Sequence, residues 1–240
     1  MKILLYNMGY GTGINGSLKH YLLKGWRYLW FPKWVIQKII ELLKAQRADI
    51  VCLLEAATGS FRSRFRSQIF QMARALGFPF YSSLCKYGKQ SICSRLPVFR
   101  KHHTGIMGGV PGAITNHYLK TGMKRLVKEV VVEGKSVFIV HLSRLRACSR
   151  QKQLRELTLL LKNCPRPYLV CGDFNIRGFS EIESFLAQNQ LRFIQNGPSF
   201  PSAKPQKCLD LFLASRGIEV KKAGVVRSEL SDHLPVWVEI

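Results

Sequence analysis

Seven short apolar runs set the frame of this chain. Lys2–Asn7, Asp49–Leu54, Val127–Glu133, Ser136–His141, Pro167–Gly172, Leu209–Ala214 and Pro235–Ile240 are each six or seven residues long, and turn residues bound them. They are rich in β-branched or aromatic side chains and read as strands. Glu133-Gly134-Lys135 between two of them predicts a tight hairpin. Helical spacing fills other stretches. Trp34–Leu43 is apolar at 35, 36, 39, 40, 42 and 43; Phe61, Phe65, Ile69, Met72 and Leu76 step by three or four; Leu154, Leu157, Leu160 and Leu161 do the same. Ser180–Asn189 opens with a capping-box pattern, Ser180 to Glu183. Strands mixed with helices, and at least one hairpin, place the chain in the α/β class with a mixed or antiparallel sheet. Gly105–His117 reads as a surface loop. With no repeat or linker, 240 residues fit one domain, 1–240.

The chain carries 37 Lys+Arg against 14 Asp+Glu, a net charge of +23. Charge of that size predicts attraction to polyanions: nucleic acid, anionic headgroups or phosphorylated small molecules. The seven cysteines form no CxxC pair, and several sit inside apolar runs. They read as buried thiols in a reducing compartment, without a disulfide frame or zinc site. The N-terminus turns polar too soon for a signal peptide, and no apolar run approaches the ~18 residues of a membrane span. The expectation is a cytoplasmic protein, with peripheral membrane association open.

Acids are scarce, which makes their placement informative. The four aspartates are Asp49, Asp173, Asp210 and Asp232. Asp173 closes one apolar run, Asp210 sits inside another, and Asp232 precedes His233 and the last. Glu55, Asn7 and His141 close three more. A carboxylate in an apolar segment must be paired, hydrogen-bonded or bound to a cation. Polar groups gathered at the ends of rigid strands are where catalysis concentrates. Oxygen donors of this type suit Mg²⁺, Mn²⁺ or Ca²⁺ rather than zinc.

At these residues the chain resembles the endonuclease/exonuclease/phosphatase superfamily. That group includes DNase I-like nucleases, abasic-site endonucleases, neutral sphingomyelinases and inositol-polyphosphate 5-phosphatases. The motifs are Leu4-Leu5-Tyr6-Asn7, Ala48 to Glu55, Val140-His141-Leu142, Gly172-Asp173-Phe174-Asn175, Leu209-Asp210-Leu211-Phe212 and Ser231-Asp232-His233-Leu234-Pro235. Ser91 to Val98 resembles the family's central strand and turn. The resemblance implies a four-layer α/β/β/α sandwich: two packed mixed sheets, helices outside, and the site where sheet edges meet. It implies a metal-dependent phosphoester hydrolase, with Glu55 as main metal ligand and Asn7 and Asp232 beside it. Asp173 would position or activate water, and Asn175 would hold a phosphate oxygen. His233, oriented by Asp210, would act as acid/base or donate to the developing phosphorane, and His141 would contact the phosphate from the other side.

Some stretches depart from that pattern or extend it. Met8-Gly9-Tyr10-Gly11-Thr12-Gly13 is glycine-rich, either a phosphate cradle or a turn into an insertion near 14–34. Residues 18–34 are aromatic and basic with no acid, as in interfacial membrane segments, single-stranded nucleic-acid platforms or a packed helix. Arg62, Arg64, Arg66 and Arg74 read as the solvated face of one helix; Lys86, Lys89, Arg95, Arg100, Lys101, His102 and His103 follow in an irregular stretch. Arg144, Arg146 and Arg150, just past His141, are expected to touch substrate, with Arg125 a weaker candidate. The substrate expected is an anionic phosphoester. Charge favours nucleic acid, while the aromatic stretch favours a phospholipid or phosphoinositide at an anionic membrane. A non-catalytic binding module that keeps the fold is a third reading, opposed by the intact acids and histidines. Nothing in the sequence calls for an obligate protein partner.

Overall fold

A computed structural model describes residues 1–63, 65–87 and 101–240. Arg64 and the Ser91–Val98 motif lie outside the described residues, as do Lys89, Arg95 and Arg100. The first sheet contains β1 (Lys2–Asn7), β2 (Ile50–Ala57), β3 (Phe80–Cys85), β4 (His102–Gly108), β11 (Lys222–Val225) and β12 (Val236–Glu239). Their order is β11-β12-β1-β2-β4-β3, with β1 and β2 parallel. The second contains β5 (Ala113–Tyr118), β6 (Leu126–Val132), β7 (Lys135–His141), β8 (Tyr168–Asp173), β9 (Arg192–Ile194) and β10 (Asp210–Ala214). Their order is β5-β6-β7-β8-β10-β9, with β7 and β8 parallel.

Side-chain alternation builds the layers. Ile3 and Leu5 of β1 join Cys52 and Leu54 of β2 in an inter-sheet core, against Val137 and Ile139 of β7 and Cys171 of β8. Leu4 and Tyr6 point the other way, onto Val35, Ile36 and Ile39 of α2 (Lys33–Gln46) and Ile69 and Met72 of α3 (Gln68–Leu76). Phe138, Val140 and Val170 back onto Leu154, Leu157 and Leu161 of α4 (Ala147–Lys162) and Ile182 and Phe185 of α5 (Ser180–Asn189), with α1 being Leu18–Lys24. The result is the expected α/β/β/α sandwich. Central strands buried on both faces must be apolar throughout, which is why they read as unbroken runs. The hairpin also forms: Glu133 and Gly134 have φ of 49° and 72°, the paired positive values of a two-residue type I′ turn.

Four local readings are corrected. The apolar steps from Phe61 to Leu76 are not one helix: a 3-10 turn spans Phe61–Ser63, α3 begins at Gln68, and Phe65 is exposed. Arg62 is therefore buried, not on a solvated helix face, donating to Tyr28 O at 3.0 Å. Ser180 is no cap. It is the first residue of α5, after Phe179 in helical geometry without a side-chain cap bond. Gly105–His117 is mostly strand, not loop, because Gly105 is a packing contact: a Cβ there would stand 2.2 Å from Ile69 Cδ1.

Candidate active site

Strand register gathers the polar residues. In the second sheet, His141 at the end of β7 and Asp210 at the start of β10 both pair with Asp173 at the end of β8. Three chemistry-bearing residues thus stand side by side across three strands. In the first sheet, Asn7 pairs with Leu54, so Glu55 follows immediately. Glu55 sits at a bulge between Leu53 and Ala56 with φ of 53°. A non-glycine residue held there is strained, and a bulge re-aims its side chain, here into the cleft. The cleft encloses about 310 Å³ and is lined by Asn7, Glu55, Asp173, Asn175, Asp232 and His233 among others.

Gly172 explains its own place in the Gly172-Asp173-Phe174-Asn175 motif. A Cβ on it would lie 1.9 Å from the backbone oxygen of Val140. Only glycine lets β7 and β8 approach where His141 and Asp173 must meet. Gly172→Ala is expected to lower stability by ~1–3 kcal/mol, as overpacked sites do. Calorimetry checks this; an unchanged melting temperature would mean that β8 relaxes freely.

Asp173 is the hub. Asn7 Nδ2 donates to its Oδ2 at 3.2 Å, His141 Nε2 stands 3.2 Å from the same oxygen, and Asn175 N donates to Oδ1 at 3.0 Å. Burial disfavours its charge, but His141, His233 and Lys124 outweigh burial and hold the carboxyl below its usual range. Asn175, at φ 51°, also donates Nδ2 to Leu142 O at 3.1 Å, so one amide N–H is already engaged.

His233 Nδ1 lies 2.6 Å from Asp210 Oδ2, and Ser199 Oγ donates to that oxygen at 2.6 Å. Burial alone would keep the imidazole neutral; Asp210 reverses this and pushes His233 up to about 10. Burial raises Asp210 while His233 pulls it back, and the shared proton stays on the imidazole. His141 behaves oppositely: burial and Lys124 bring it down to about 4. One histidine is thus charged at neutral pH and the other neutral.

Two lysines complete the site, and neither stood out in the sequence. Lys86, fully buried, donates to Glu55 Oε1 at 2.9 Å and to the Tyr10 hydroxyl at 2.8 Å. Lys124 contacts His141 Nε2, lies 3.9 Å from Glu55 Oε1, and is brought down to about 8 by burial and Lys86. Burial opposes the charge of Glu55, but the lysines hold it well below its ordinary value. Tyr21 Oη donates to Asp232 Oδ2 at 3.2 Å, and Ser231 Oγ donates to Oδ1 at 3.1 Å. With 37 basic residues in the chain, a lysine at the cleft has no signature of its own.

The remaining candidates separate. Arg144 lines the cleft, and Arg146 an adjoining one. Arg125 Nε donates to Gly122 O at 2.8 Å, which ties down its own loop. Arg150 is not a substrate contact: it is fully buried and grips Glu181 with Nε at 2.8 Å and Nη2 at 2.7 Å. The glycine-rich stretch is a buried turn rather than an open cradle, since a Cβ on Gly11 would meet Ile36 Cδ1 at 2.5 Å.

Among the described residues no group of three or more His, Cys, Asp or Glu stands close enough to hold a metal ion. The donor chemistry nonetheless fits a hard cation. Mg²⁺ commonly takes one or two carboxylates and completes its shell with water and phosphate oxygens. Glu55 and Asp232, with Asn7, offer such donors to one cleft. Burial raises Asp232, and the charge of Glu55 adds to the rise; a cation between them relieves that repulsion.

The model of a family described as "Endonuclease/Exonuclease/phosphatase family" matches residues 35–233. Among curated proteins none matches the chain significantly. Solved structures are similar in fold. A functionally unknown conserved protein from Enterococcus faecalis V583 is 16% identical with a TM-score of 0.73, the match covering 100% of this chain and 98% of that one. An endonuclease/exonuclease/phosphatase family protein from Bacteroides thetaiotaomicron is 15% identical with a TM-score of 0.71, covering 99% and 96%. A mannosyl-6-phosphatase from Bacteroides thetaiotaomicron VPI-5482 is 15% identical with a TM-score of 0.69, covering 100% and 98%.

Proposed function

Because the chain belongs to the endonuclease/exonuclease/phosphatase family, we propose that it hydrolyses an anionic phosphoester by in-line attack of water. The observation that most supports this reading is the presence of two oppositely charged groups in the lining of one cleft: Asp173, held as a carboxylate, and His233, held as an imidazolium by Asp210. Asp173 accepts a hydrogen bond from the attacking water and receives its proton as the new P–O bond forms. The bond to the leaving oxygen breaks, and that oxygen takes the proton of His233. Lys124 and neutral His141 face the phosphoryl oxygens from the other side, and the second N–H of Asn175 is directed to one of them. Glu55 and Asp232, beside Asn7, would hold Mg²⁺ or Mn²⁺, which neutralises phosphoryl charge when bound.

The overall charge alone favours nucleic acid as substrate. The segment after β1 favours a lipid headgroup instead. The reaction itself is tested with bis(p-nitrophenyl) phosphate and Mg²⁺, with plasmid DNA and RNA alongside. p-Nitrophenol release is expected, abolished by EDTA and lowered at least ~10²-fold in Asp173→Ala. No turnover on any of these substrates with Mg²⁺, Mn²⁺ or Ca²⁺, or full activity in Asp173→Ala, overturns the reading.

Among the described residues no helix is long and apolar enough to cross a membrane.

A further inference from the structure

The segment between β1 and α2 presents apolar side chains outward, beside the catalytic cleft. None of the residues of α1 is buried. Leu18, Leu22, Leu23, Trp26 and Leu29 are between 57% and 75% exposed. Leu18 and Leu22 lie one turn apart on α1, and Trp26 and Leu29 continue the exposed apolar stripe through the 3-10 turn Gly25–Tyr28 and just past it. The opposite side of the segment is anchored. Tyr21 Oη donates to Asp232, the Tyr28 carbonyl accepts from Arg62, and Phe31 packs against Tyr10 and Ala57. The stripe is therefore held in place over the mouth of the site.

We infer that this segment is a docking surface for an anionic lipid bilayer, which brings the cleft against the headgroups. Charge complementarity identifies the occupant. The first forty residues contain no Asp or Glu, while Lys19, Lys24, Arg27 and Lys33 flank the apolar stripe. Leucine and tryptophan on one side with lysine and arginine beside them is the composition of a helix lying in a bilayer interface. Arg27 stacks on Trp26 at 5.7 Å and on Trp34 at 5.3 Å, which holds its charge beside the stripe. The loop after β7 adds Leu145, strongly exposed between Arg144 and Arg146. Arg144 and Leu145 line the cleft together with Asp232, the acceptor of the Tyr21 hydroxyl, which places this loop at the same mouth. Single-stranded nucleic acid is a poorer occupant, because it is bound by successive aromatic faces, whereas four of the seven outward apolar side chains, Trp30 and Trp34 included, are leucines and α1 itself presents only leucines. A second copy is poorer still, since a two-fold contact would set this acid-free segment against itself. The docking stands independently of catalysis. The substrate it implies, a phosphoester presented in a headgroup, rests on the hydrolase reading.

The test is flotation of the full chain with vesicles of phosphatidylcholine alone or mixed with phosphatidylglycerol. Asp173→Ala is run in parallel so that turnover does not alter the vesicles. Both proteins should float with the anionic vesicles only, and tryptophan emission should shift to the blue. Leu22→Ser/Trp26→Ser/Leu29→Ser should weaken binding roughly tenfold or more, with an unchanged circular dichroism spectrum and melting temperature. Wild type that ignores anionic vesicles, or a triple variant that binds them normally, overturns the inference. So does a triple variant that loses only oligonucleotide binding, or one whose sole change is dissociation of a dimer. If the triple variant unfolds, quenching of the wild-type tryptophan emission by brominated lipid decides, and absence of quenching overturns docking. Vesicle binding without hydrolysis of any phosphoester would sink the hydrolase and leave docking. Hydrolysis of bis(p-nitrophenyl) phosphate without vesicle binding would do the reverse.

Discussion

Asp210→Asn is expected to lower kcat by roughly 10³ near pH 8, because a positioned acid contributes ~10²–10⁴ and the substitution removes the charge that protonates it. The pH dependence makes this specific. His233 is pushed up to about 10 by Asp210, against the opposing effect of burial. Wild type should therefore keep its acid through neutral pH and lose that acid only as pH rises through about 10, after a shallower decline as Lys124 gives up its proton at about 8. In Asp210→Asn burial is opposed only by the smaller effects of Asp173 and Asp232, so the basic limb should move down from about 10 toward the ordinary imidazole value, about 6.5. Stability follows the same sign. A raised imidazole contributes fully below about 6.5, and the contribution is lost as pH rises through the folded value. His233→Ala should lose roughly 10³–10⁴ in kcat and have no such limb to move. Paired pH–rate profiles on a soluble phosphodiester provide the measurement. An Asp210→Asn profile with the wild-type basic limb would show that Asp210 does not control the proton on His233.

How much of this was legible in the chain depended on burial. β1, β2, β7, β8 and β10 are covered on both faces, so their apolar runs stood out, and so did the polar residues that close or open them. The edge strands had no such signal. β5 is mostly exposed and alternates polar side chains, and β9 has three residues. β4 was hidden by its glycines, which ordinarily mark loops, but here Gly105 makes room for Ile69 and Gly108 for the Asp49 carbonyl. At the site, Asp173, Asp210 and Glu55 were conspicuous because acids are rare in this sequence. Lys86 and Lys124 were not, because they come from separate segments and meet Glu55 only through sheet packing. Ser199, which fixes Asp210, is one serine among many until the Phe200–Lys207 bridge brings it beside β10. Ionic patterning also misled. Arg150 sits near His141 in sequence but on the inner side of α4.

That position makes Arg150 the second large effect. Its guanidinium is fully buried, pairs with Glu181, and donates Nη1 to Ser143 O at 3.3 Å and Arg144 O at 3.0 Å. It ties α4 to α5 and fixes the backbone from which Arg144 and Leu145 reach the mouth of the cleft. Removing one partner of a buried pair leaves the other uncompensated, which is destabilising by ~3–5 kcal/mol. At ~2–4 °C per kcal/mol for a chain of this size, Arg150→Met should lower Tm by roughly 6–20 °C. Arg150→Met/Glu181→Met should recover most of that loss, because the paired desolvation disappears with both charges. Activity on bis(p-nitrophenyl) phosphate at low temperature should change less than stability, since no part of Arg150 lines the cleft. Scanning calorimetry of the two variants beside steady-state kinetics separates the roles. A raised KM with an unaltered Tm would mean that Arg150 binds substrate, as its place beside His141 in the chain had suggested, and that its grip on Glu181 is dispensable.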